Sequence, residues 1–130
     1  MNPVIAQQLE SLRNSYPDAS ATPLPSGAHL ITIPNVTLPA GWNRRTTTIL
    51  FVAPPGYPAG QPDCFWVEPG QMRLENQGTP QATNDQNPIP GLLPARQMTW
   101  FSWHLQSWSA NNDSLHTYVK VIMKRFGLLQ

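Results

Sequence analysis

The stretch Phe51-Val-Ala-Pro-Pro-Gly-Tyr-Pro-Ala-Gly-Gln-Pro-Asp-Cys-Phe-Trp-Val-Glu-Pro69 consists of two apolar runs separated by a turn rich in proline and glycine. Proline fixes φ and removes an amide donor, and it pushes the preceding residue toward extended geometry. A β-hairpin usually turns within about two to five residues, so this long, proline-rich connection is unusual. The stretch therefore predicts a strand, a rigid loop and a second strand, with Tyr57 displayed from the loop at a defined angle.

Three strands are predicted around this loop. Residues 46–53 form a β-branched run that leads into it, and residues 64–67 follow it. Further upstream, residues 29–38 alternate as a strand does, although Pro34 requires an edge position or a bulge. Residues 18–27 carry no periodicity and are predicted to be a loop.

A first helix is predicted at the N-terminus. Asn2 is a suitable N-cap, and Pro3 is tolerated at the first helical position because the missing amide would have no partner there. Pro17 is expected to stop the helix. Its apolar stripe has three- and four-residue spacing and comprises Ile5, Leu9, Leu12 and Tyr16.

A second helix is predicted near the C-terminus, with Asn112 or Asp113 as its N-cap and Gly127 as its C-cap. Asp113 would complement the N-terminal end of the helix dipole, and Lys124 and Arg125 lie in the last turn. The apolar stripe that predicts the helix comprises Leu115, Tyr118, Val119, Ile122, Met123 and Phe126.

Residues 68–96 separate the third predicted strand from the rest of the chain and contain few large apolar side chains. Irregular segments longer than about 12–15 residues are usually functional or disordered, so this one is a candidate site or lid. The aromatic residues 98–105 that follow predict a short strand or turn over the core. Together these elements predict a single α+β domain over residues 1–130, in which both helices pack against an antiparallel β-meander.

Composition limits the possible functions. Charged residues make up 12% of the chain and the net charge is +1, which indicates neither a nucleic-acid footprint nor a charged membrane surface. No apolar run approaches membrane-spanning length and no signal peptide is evident, so a cytoplasmic protein that meets other proteins is predicted. The single cysteine, Cys64, excludes an internal disulfide and fits a reducing compartment.

The order of the elements resembles the ubiquitin-conjugating enzyme superfamily. That superfamily has a Tyr-Pro-x-x-x-Pro loop, matched here by Tyr57-Pro58-Ala-Gly-Gln-Pro62, and a Trp-Ser-Pro element before its next helix, matched in part by Trp108-Ser109-Ala110. The resemblance covers about residues 4–126. Features similar to the bacterial branch are Phe65-Trp66, Pro80-Gln81-Ala82, and the spacing from Trp103-His104 through Trp108 to Asp113-Ser-Leu115.

The resemblance implies a ubiquitin-conjugating-like fold and two protein partners, a ubiquitin-like protein and its activating enzyme. In that superfamily, a thioester-forming cysteine lies shortly before the Trp-Ser-Pro element, downstream of a His-Pro-Asn motif whose asparagine stabilises the oxyanion. This chain has no cysteine at that position. Strand alternation places Cys64 beside Trp66, where it is predicted to be buried and inert. Asn84 and Asn87-Pro88 are the nearest substitutes for the missing motif.

Ser102 and His104 occupy the place of the missing cysteine. Serine is a poor nucleophile unless a base activates it, and an imidazole two residues away is a candidate base for an oxyester-forming site. The alternative is that Ser102 is a solvated loop serine and that His104 makes a structural hydrogen bond beneath the tryptophans.

Other site types fit the sequence less well. The residues His104, Asp113 and His116 have no metal-ligand spacing, and no cofactor is indicated. The five tryptophans lack the interleaved lysines and arginines of a nucleic-acid stacking platform, so core packing or protein contacts are favoured. Candidate partner-binding residues are Tyr57, Trp100, Trp103 and Trp108.

Two functional classes remain at this point. The first is a component of a bacterial ubiquitin-like conjugation pathway that receives or binds a ubiquitin-like protein from its activating enzyme, with Ser102, His104 and Asn84 as candidate catalytic residues. The second is a non-catalytic adaptor of the same fold that binds the ubiquitin-like protein or the activating enzyme. The absent cysteine favours the adaptor, whereas the aromatic segment at the active-site position favours a carrier. Whether the protein is an enzyme is therefore left open.

Overall fold

The computed structural model describes residues 2–130 and has the predicted α+β architecture, with one helix near each end of the chain and an antiparallel sheet between them. The sheet has six strands in the order β1-β2-β3-β4-β6-β5. The elements are α1 (Pro3–Leu12), β1 (Ser20–Pro23), β2 (His29–Thr37), β3 (Thr46–Ala53), β4 (Phe65–Glu68), β5 (Thr83–Asn84), β6 (Thr99–Phe101) and α2 (Leu115–Phe126).

Helix α1 begins as the sequence predicts. The Asn2 side chain accepts a hydrogen bond from the Val4 amide at 2.8 Å, and Pro3 occupies the first helical position. The helix ends at Leu12, however, so Tyr16 lies beyond the helix and Pro17 does not stop it. Backbone turns from Leu12 to Ser15 and Tyr16 close this end of the helix.

Helix α2 confirms the predicted apolar stripe, but its predicted N-cap is wrong. Ser114, rather than Asn112 or Asp113, is the N-cap, and its amide donates to the Thr117 hydroxyl at 3.0 Å. Asp113 lies outside the helix, where its carboxylate accepts the Ser109 amide at 2.7 Å. Gly127 is the C-cap, as predicted.

The central strands confirm the β-branched and alternating patterns. Strand β2 pairs with β3, and the register shifts between Ile33 and Val36, which is the bulge that Pro34 required. Strand β1 was not predicted, because it is only four residues long, carries a proline and is largely exposed. It pairs with β2 as an edge strand inside the segment that was expected to be a loop.

Residues 69–98 connect β4 to β6 and contain the two-residue strand β5. This segment is the long irregular excursion that the sequence predicts. Because β6 pairs with β4 and also with β5, the excursion leaves the sheet and returns to the same edge.

The two faces of the sheet are covered differently. Both helices pack on one face, which we call the helix-covered face, where Ile31, Phe51, Phe65 and Phe101 join the apolar stripes of α1 and α2. The opposite face, the loop-covered face, is covered by the excursion and by the β1–β2 hairpin. Its buried side chains are Leu24, Ala28, Leu30, Leu50, Trp66, Ile89 and Met98. Within residues 2–130, neither helix is long and apolar enough to cross a lipid bilayer.

Candidate functional site

Ser102 lies directly after β6, at the point where the sheet ends. The last paired residues of β4 and β6 are Phe65 and Phe101, and the Ser102 amide donates to the Ala82 carbonyl at 2.8 Å. These backbone contacts fix the start of the segment that leads from the sheet to α2. Ser102 is therefore held by the sheet rather than carried on a free loop.

His104 connects Ser102 to a residue of the proline-rich loop. Its Nε2 atom lies 3.2 Å from the Ser102 hydroxyl oxygen, and its Nδ1 atom lies 2.7 Å from an Asp63 carboxylate oxygen and 2.9 Å from the Asp63 carbonyl oxygen. Both Asp63 oxygens can only accept, so Nδ1 carries the imidazole proton. The Nε2 atom is then free to accept the Ser102 hydroxyl.

This arrangement has the connectivity of a serine nucleophile, a histidine base and an orienting carboxylate. The predicted proximity of Ser102 and His104 is confirmed, whereas Asp63 was missed. Asp63 is 41 residues from His104 and reaches it only because β4 and β6 are paired. The trio is open to solvent, since the side chains of His104 and Asp63 are 53% and 71% exposed.

A groove of about 490 Å³ lies next to His104, between the segment after β6 and helix α2. One wall is formed by Trp103 and Leu105, and the other by α2 residues at three- and four-residue spacing, Thr117, Val121 and Lys124. The groove therefore meets the trio at His104, and neither Ser102 nor Asp63 lines it. A larger cavity of about 550 Å³ at the β2–β3 turn does not include any residue of the trio.

The buried side chain of Arg125 contacts the residues on either side of Ser102 from the core side. Arg125 donates to the main-chain oxygens of Gln81, Leu128 and Gln130 at 2.8–3.0 Å. It also lies 5.3 Å from the ring centroids of both Phe101 and Trp103, the residues that flank Ser102. Burial lowers the pKa of this guanidinium, which nevertheless stays charged at neutral pH because arginine starts so high.

Comparison with protein families decides the classification. The model of the family described as Prokaryotic E2 family E matches residues 11–127, which is most of the chain. The protein belongs to this prokaryotic E2-like family. Comparison with curated proteins and with solved structures gave no significant match. Family membership confirms the resemblance to ubiquitin-conjugating enzymes and implies, in general terms, a role in a ubiquitin-like conjugation pathway.

Asn84 is the candidate for the asparagine that stabilises the oxyanion in ubiquitin-conjugating enzymes. In this family member, Asn84 lies in β5 opposite Trp100, and its side-chain oxygen accepts the Gln86 amide at 2.9 Å. Within residues 2–130, no hydrogen bond links Asn84 to Ser102 or His104. The structure thus joins two of the three candidate catalytic residues and leaves Asn84 apart from them.

Tyr57 is not displayed from the proline-rich loop, which corrects the sequence prediction. Its side chain is only 2% exposed, and its hydroxyl donates to the Gln8 side chain of α1. A tyrosine ring is readily buried when its hydroxyl finds such a partner, and burial raises the pKa of Tyr57. As an exposed partner-binding residue, Tyr57 is therefore excluded, and the rigid loop instead anchors α1.

The three candidate tryptophans are half-buried and keep part of their surface available. Trp108 packs at 5.9 Å from the Tyr57 ring and donates to the Pro58 carbonyl at 2.8 Å. Trp103 lines the groove beside the trio. Trp100 packs on the loop-covered face. Only Trp103 is thus directly next to the candidate nucleophile.

Cys64 lies just before β4 rather than within it, and it is half-buried rather than part of the core. As predicted, it packs beside Trp66, and Trp100 is a further neighbour. Burial raises the pKa of the thiol. Because the thiolate is the reactive form, this environment disfavours Cys64 as a nucleophile.

No group of three or more metal-ligating side chains is present among residues 2–130. His104 and Asp113 both line the groove, and His104 bonds to Asp63 instead of to any second histidine. The site is therefore best described by its hydrogen-bonded serine, histidine and aspartate.

Proposed function

We propose that this protein accepts a ubiquitin-like protein from its activating enzyme and carries it as an oxyester on Ser102. The hydrogen-bond chain from Ser102 through His104 to Asp63 is the observation that carries this proposal. It supplies a base for the hydroxyl at the position where the superfamily resemblance places the thioester-forming cysteine.

The transfer step follows from this geometry. The Ser102 oxygen attacks the thioester carbonyl carbon of the activated ubiquitin-like protein, and Nε2 of His104 takes the hydroxyl proton. Asp63 accepts the Nδ1–H bond and stabilises the imidazolium that forms. The C–S bond then breaks, the departing thiolate takes the proton from His104, and an ester to Ser102 remains.

The groove provides a path for the C-terminal tail of the ubiquitin-like protein. Its α2 wall runs from Thr117 to Lys124, a distance of roughly 10 Å at about 1.5 Å per residue. An extended chain rises about 3.3 Å per residue, so roughly three tail residues would fit beside α2. We infer that the tail lies there with its last carbonyl at Ser102.

A non-catalytic adaptor is the second candidate, and one observation favours it. The amides of Ser102 and Trp103 donate to the carbonyls of Ala82 and Phe101, at 2.8 and 3.1 Å. Neither is therefore free to bind an oxyanion, and Asn84 has no hydrogen bond to the trio. In this alternative the groove and Trp103 bind the partner without forming a covalent bond.

Incubation of the protein with its activating enzyme, the ubiquitin-like protein and ATP separates the two candidates. A Ser102 carrier gives an adduct that resists thiol reductants and is cleaved by hydroxylamine or mild base. Ser102→Ala should abolish the adduct, and His104→Ala should slow its formation by about 10²–10⁴-fold, since a general base contributes that much. The exposed Ser11→Ala on α1 is the matched control and should leave the adduct unchanged.

Three other results would reject the Ser102 carrier. An adduct that persists in Ser102→Ala refutes the serine carrier. An adduct that reductant cleaves and Cys64→Ser abolishes assigns the chemistry to the cysteine instead. Co-purification with the partner but no adduct under any condition selects the adaptor.

A further inference from the structure

We infer that the Ser102–His104–Asp63 trio is also an acyl-hydrolase site that cleaves small activated esters without any protein partner. The inference uses the same residues as the proposed carrier function, but it requires neither a ubiquitin-like protein nor an activating enzyme. Its substrates are esters of short acyl groups with good leaving groups, such as aryl esters.

The catalytic connectivity is already assembled within the chain. The hydroxyl of Ser102 meets Nε2 of His104 at 3.2 Å, and Asp63 holds Nδ1 at 2.7 Å. Acyl-transfer enzymes on unrelated folds use the same hydrogen-bond chain, in which a histidine deprotonates a serine. Because all three residues belong to the same chain, the inferred reactivity does not require a protein partner.

Solvent access makes the second half of a hydrolytic cycle possible. The side chains of His104 and Asp63 are 53% and 71% exposed, and the groove adjoins His104. Water can therefore reach an acyl group on Ser102, and the same imidazole can activate that water. A small acyl group on Ser102 is thus reached by water, whereas the tail of a ubiquitin-like protein, which we infer lies in the groove, would cover its own ester.

The reaction balances without any further reactant. In acylation, a bond forms between the Ser102 oxygen and the ester carbonyl carbon, His104 takes the hydroxyl proton, and the leaving alkoxide or phenolate receives it. In deacylation, water attacks the acyl carbon, His104 takes a water proton, and the Ser102 oxygen leaves and is reprotonated. The net reaction converts an ester and water into a carboxylic acid and an alcohol.

The surrounding backbone restricts the substrates to activated esters. In serine hydrolases, amides at the nucleophile stabilise the oxyanion, and losing one such donor costs about 10²–10³-fold in rate. Here the amides of Ser102 and Trp103 are engaged by Ala82 and Phe101. A good leaving group lowers the demand for oxyanion stabilisation, so aryl esters should react and peptide amides should not.

The test is hydrolysis of p-nitrophenyl acetate by the purified protein, followed by nitrophenolate release, together with labelling by a fluorophosphonate. We expect labelling at Ser102 by mass spectrometry and release of nitrophenolate above the buffer rate. Ser102→Ala should abolish both, and His104→Ala should reduce the acylation rate by about 10²–10⁴-fold. Asp63→Asn should give an intermediate loss, because an exposed carboxylate orients the imidazole less strictly than a buried one.

Matched controls separate site chemistry from scattered surface reactivity. His116→Ala removes a histidine of α2 that has no part in the trio, and Ser11→Ala and Cys64→Ser remove another hydroxyl and the thiol. All three should leave the rate unchanged. Hydrolysis that survives in Ser102→Ala, or that falls as much in His116→Ala as in His104→Ala, overturns the inference. So does the absence of both labelling and hydrolysis in protein that unfolds cooperatively.

The carrier function and the hydrolase site can be rejected independently of each other. Ester hydrolysis at Ser102 without any ubiquitin-like adduct supports the hydrolase site and rejects the carrier. An adduct on Ser102 with no reaction toward aryl esters supports the carrier and rejects the hydrolase site.

Discussion

The two faces of the sheet are covered in different ways, although both bury apolar side chains. On the helix-covered face, α1 and α2 contribute apolar side chains at regular helical spacing, and packing is mainly hydrophobic. On the loop-covered face, the excursion contributes few apolar side chains, chiefly Ile89 and Met98. The comparison teaches that an irregular segment can cover a sheet when polar groups fix its course.

Those polar groups connect the excursion to itself and to the sheet. The Asp85 carboxylate accepts hydrogen bonds from the Gln71 amide at 2.8 Å, from the Thr99 hydroxyl at 2.6 Å, and from the Arg73 guanidinium. Trp66 of β4 donates its indole N–H to the Asn87 carbonyl at 2.6 Å. The Trp66 bond lies on the loop-covered face. Asp85 instead meets Thr99, which lies opposite Val67 and two residues from Phe101, so its side chain is on the helix-covered face. Polar bonds therefore fix the excursion on both sides of the sheet.

The candidate site directly follows β6, a strand whose side chains pack on both faces of the sheet. In β6, Trp100 packs on the loop-covered face and Phe101 on the helix-covered face, and Ser102 follows directly. Both sides of the strand are held, so the position of Ser102 is fixed even though its side chain reaches solvent.

The largest expected effect compares one isoleucine from each face. Ile122 of α2 and Ile89 of the excursion are 0% and 2% exposed. Ile122→Ala should cost about 2–5 kcal/mol of unfolding free energy, whereas Ile89→Ala should fall at the low end of that range because the loop can collapse onto the cavity. Denaturant titration measures both. Equal losses would remove the distinction between the faces, and a loss below about 0.5 kcal/mol at Ile122 would make α2 peripheral.

The sequence predicted the helix-covered face far better than the loop-covered one. The α2 stripe and the β-branched run of β3 are local patterns, so both were predicted correctly. The excursion has no period, and β5 is only two residues long, so its path depends on contacts such as Asp85 with Thr99 that no local pattern contains.

The site was predictable only in its local part. Ser102 and His104 are two residues apart, so their proximity could be inferred, whereas Asp63 is supplied by a strand pairing across the excursion. Tyr57 was misjudged for the same reason, since its partner Gln8 lies 49 residues away in α1.

A smaller effect is expected for Asp85, the polar anchor of the excursion. Burial alone would raise the pKa of Asp85, but hydrogen bonds from Arg73, Thr99 and the Gln71 amide together lower it. A lowered folded pKa adds stability above the unfolded value of about 3.9, and that stability is lost as the pH falls through the folded value. Asp85→Asn should therefore cost about 1–3 kcal/mol at pH 7.

The pH series provides the control for Asp85. The difference in unfolding free energy between the native protein and Asp85→Asn should be constant from pH 7 to about pH 5 and should shrink below about pH 4. The exposed Asp18→Asn is the matched substitution and should leave stability nearly unchanged at neutral pH. A constant Asp85 difference down to the lowest pH would show that its charge does not hold the excursion.

Locating the attached ubiquitin-like protein on this chain tests the central claim most directly. The adduct formed with the activating enzyme and ATP is isolated without reductant, digested, and sequenced by tandem mass spectrometry. We expect the C-terminal remnant of the ubiquitin-like protein as an ester on Ser102, and we expect Ser102→Ala to fold normally but to carry no remnant. A remnant on Cys64 or on a lysine, with Ser102 unmodified, would contradict the account.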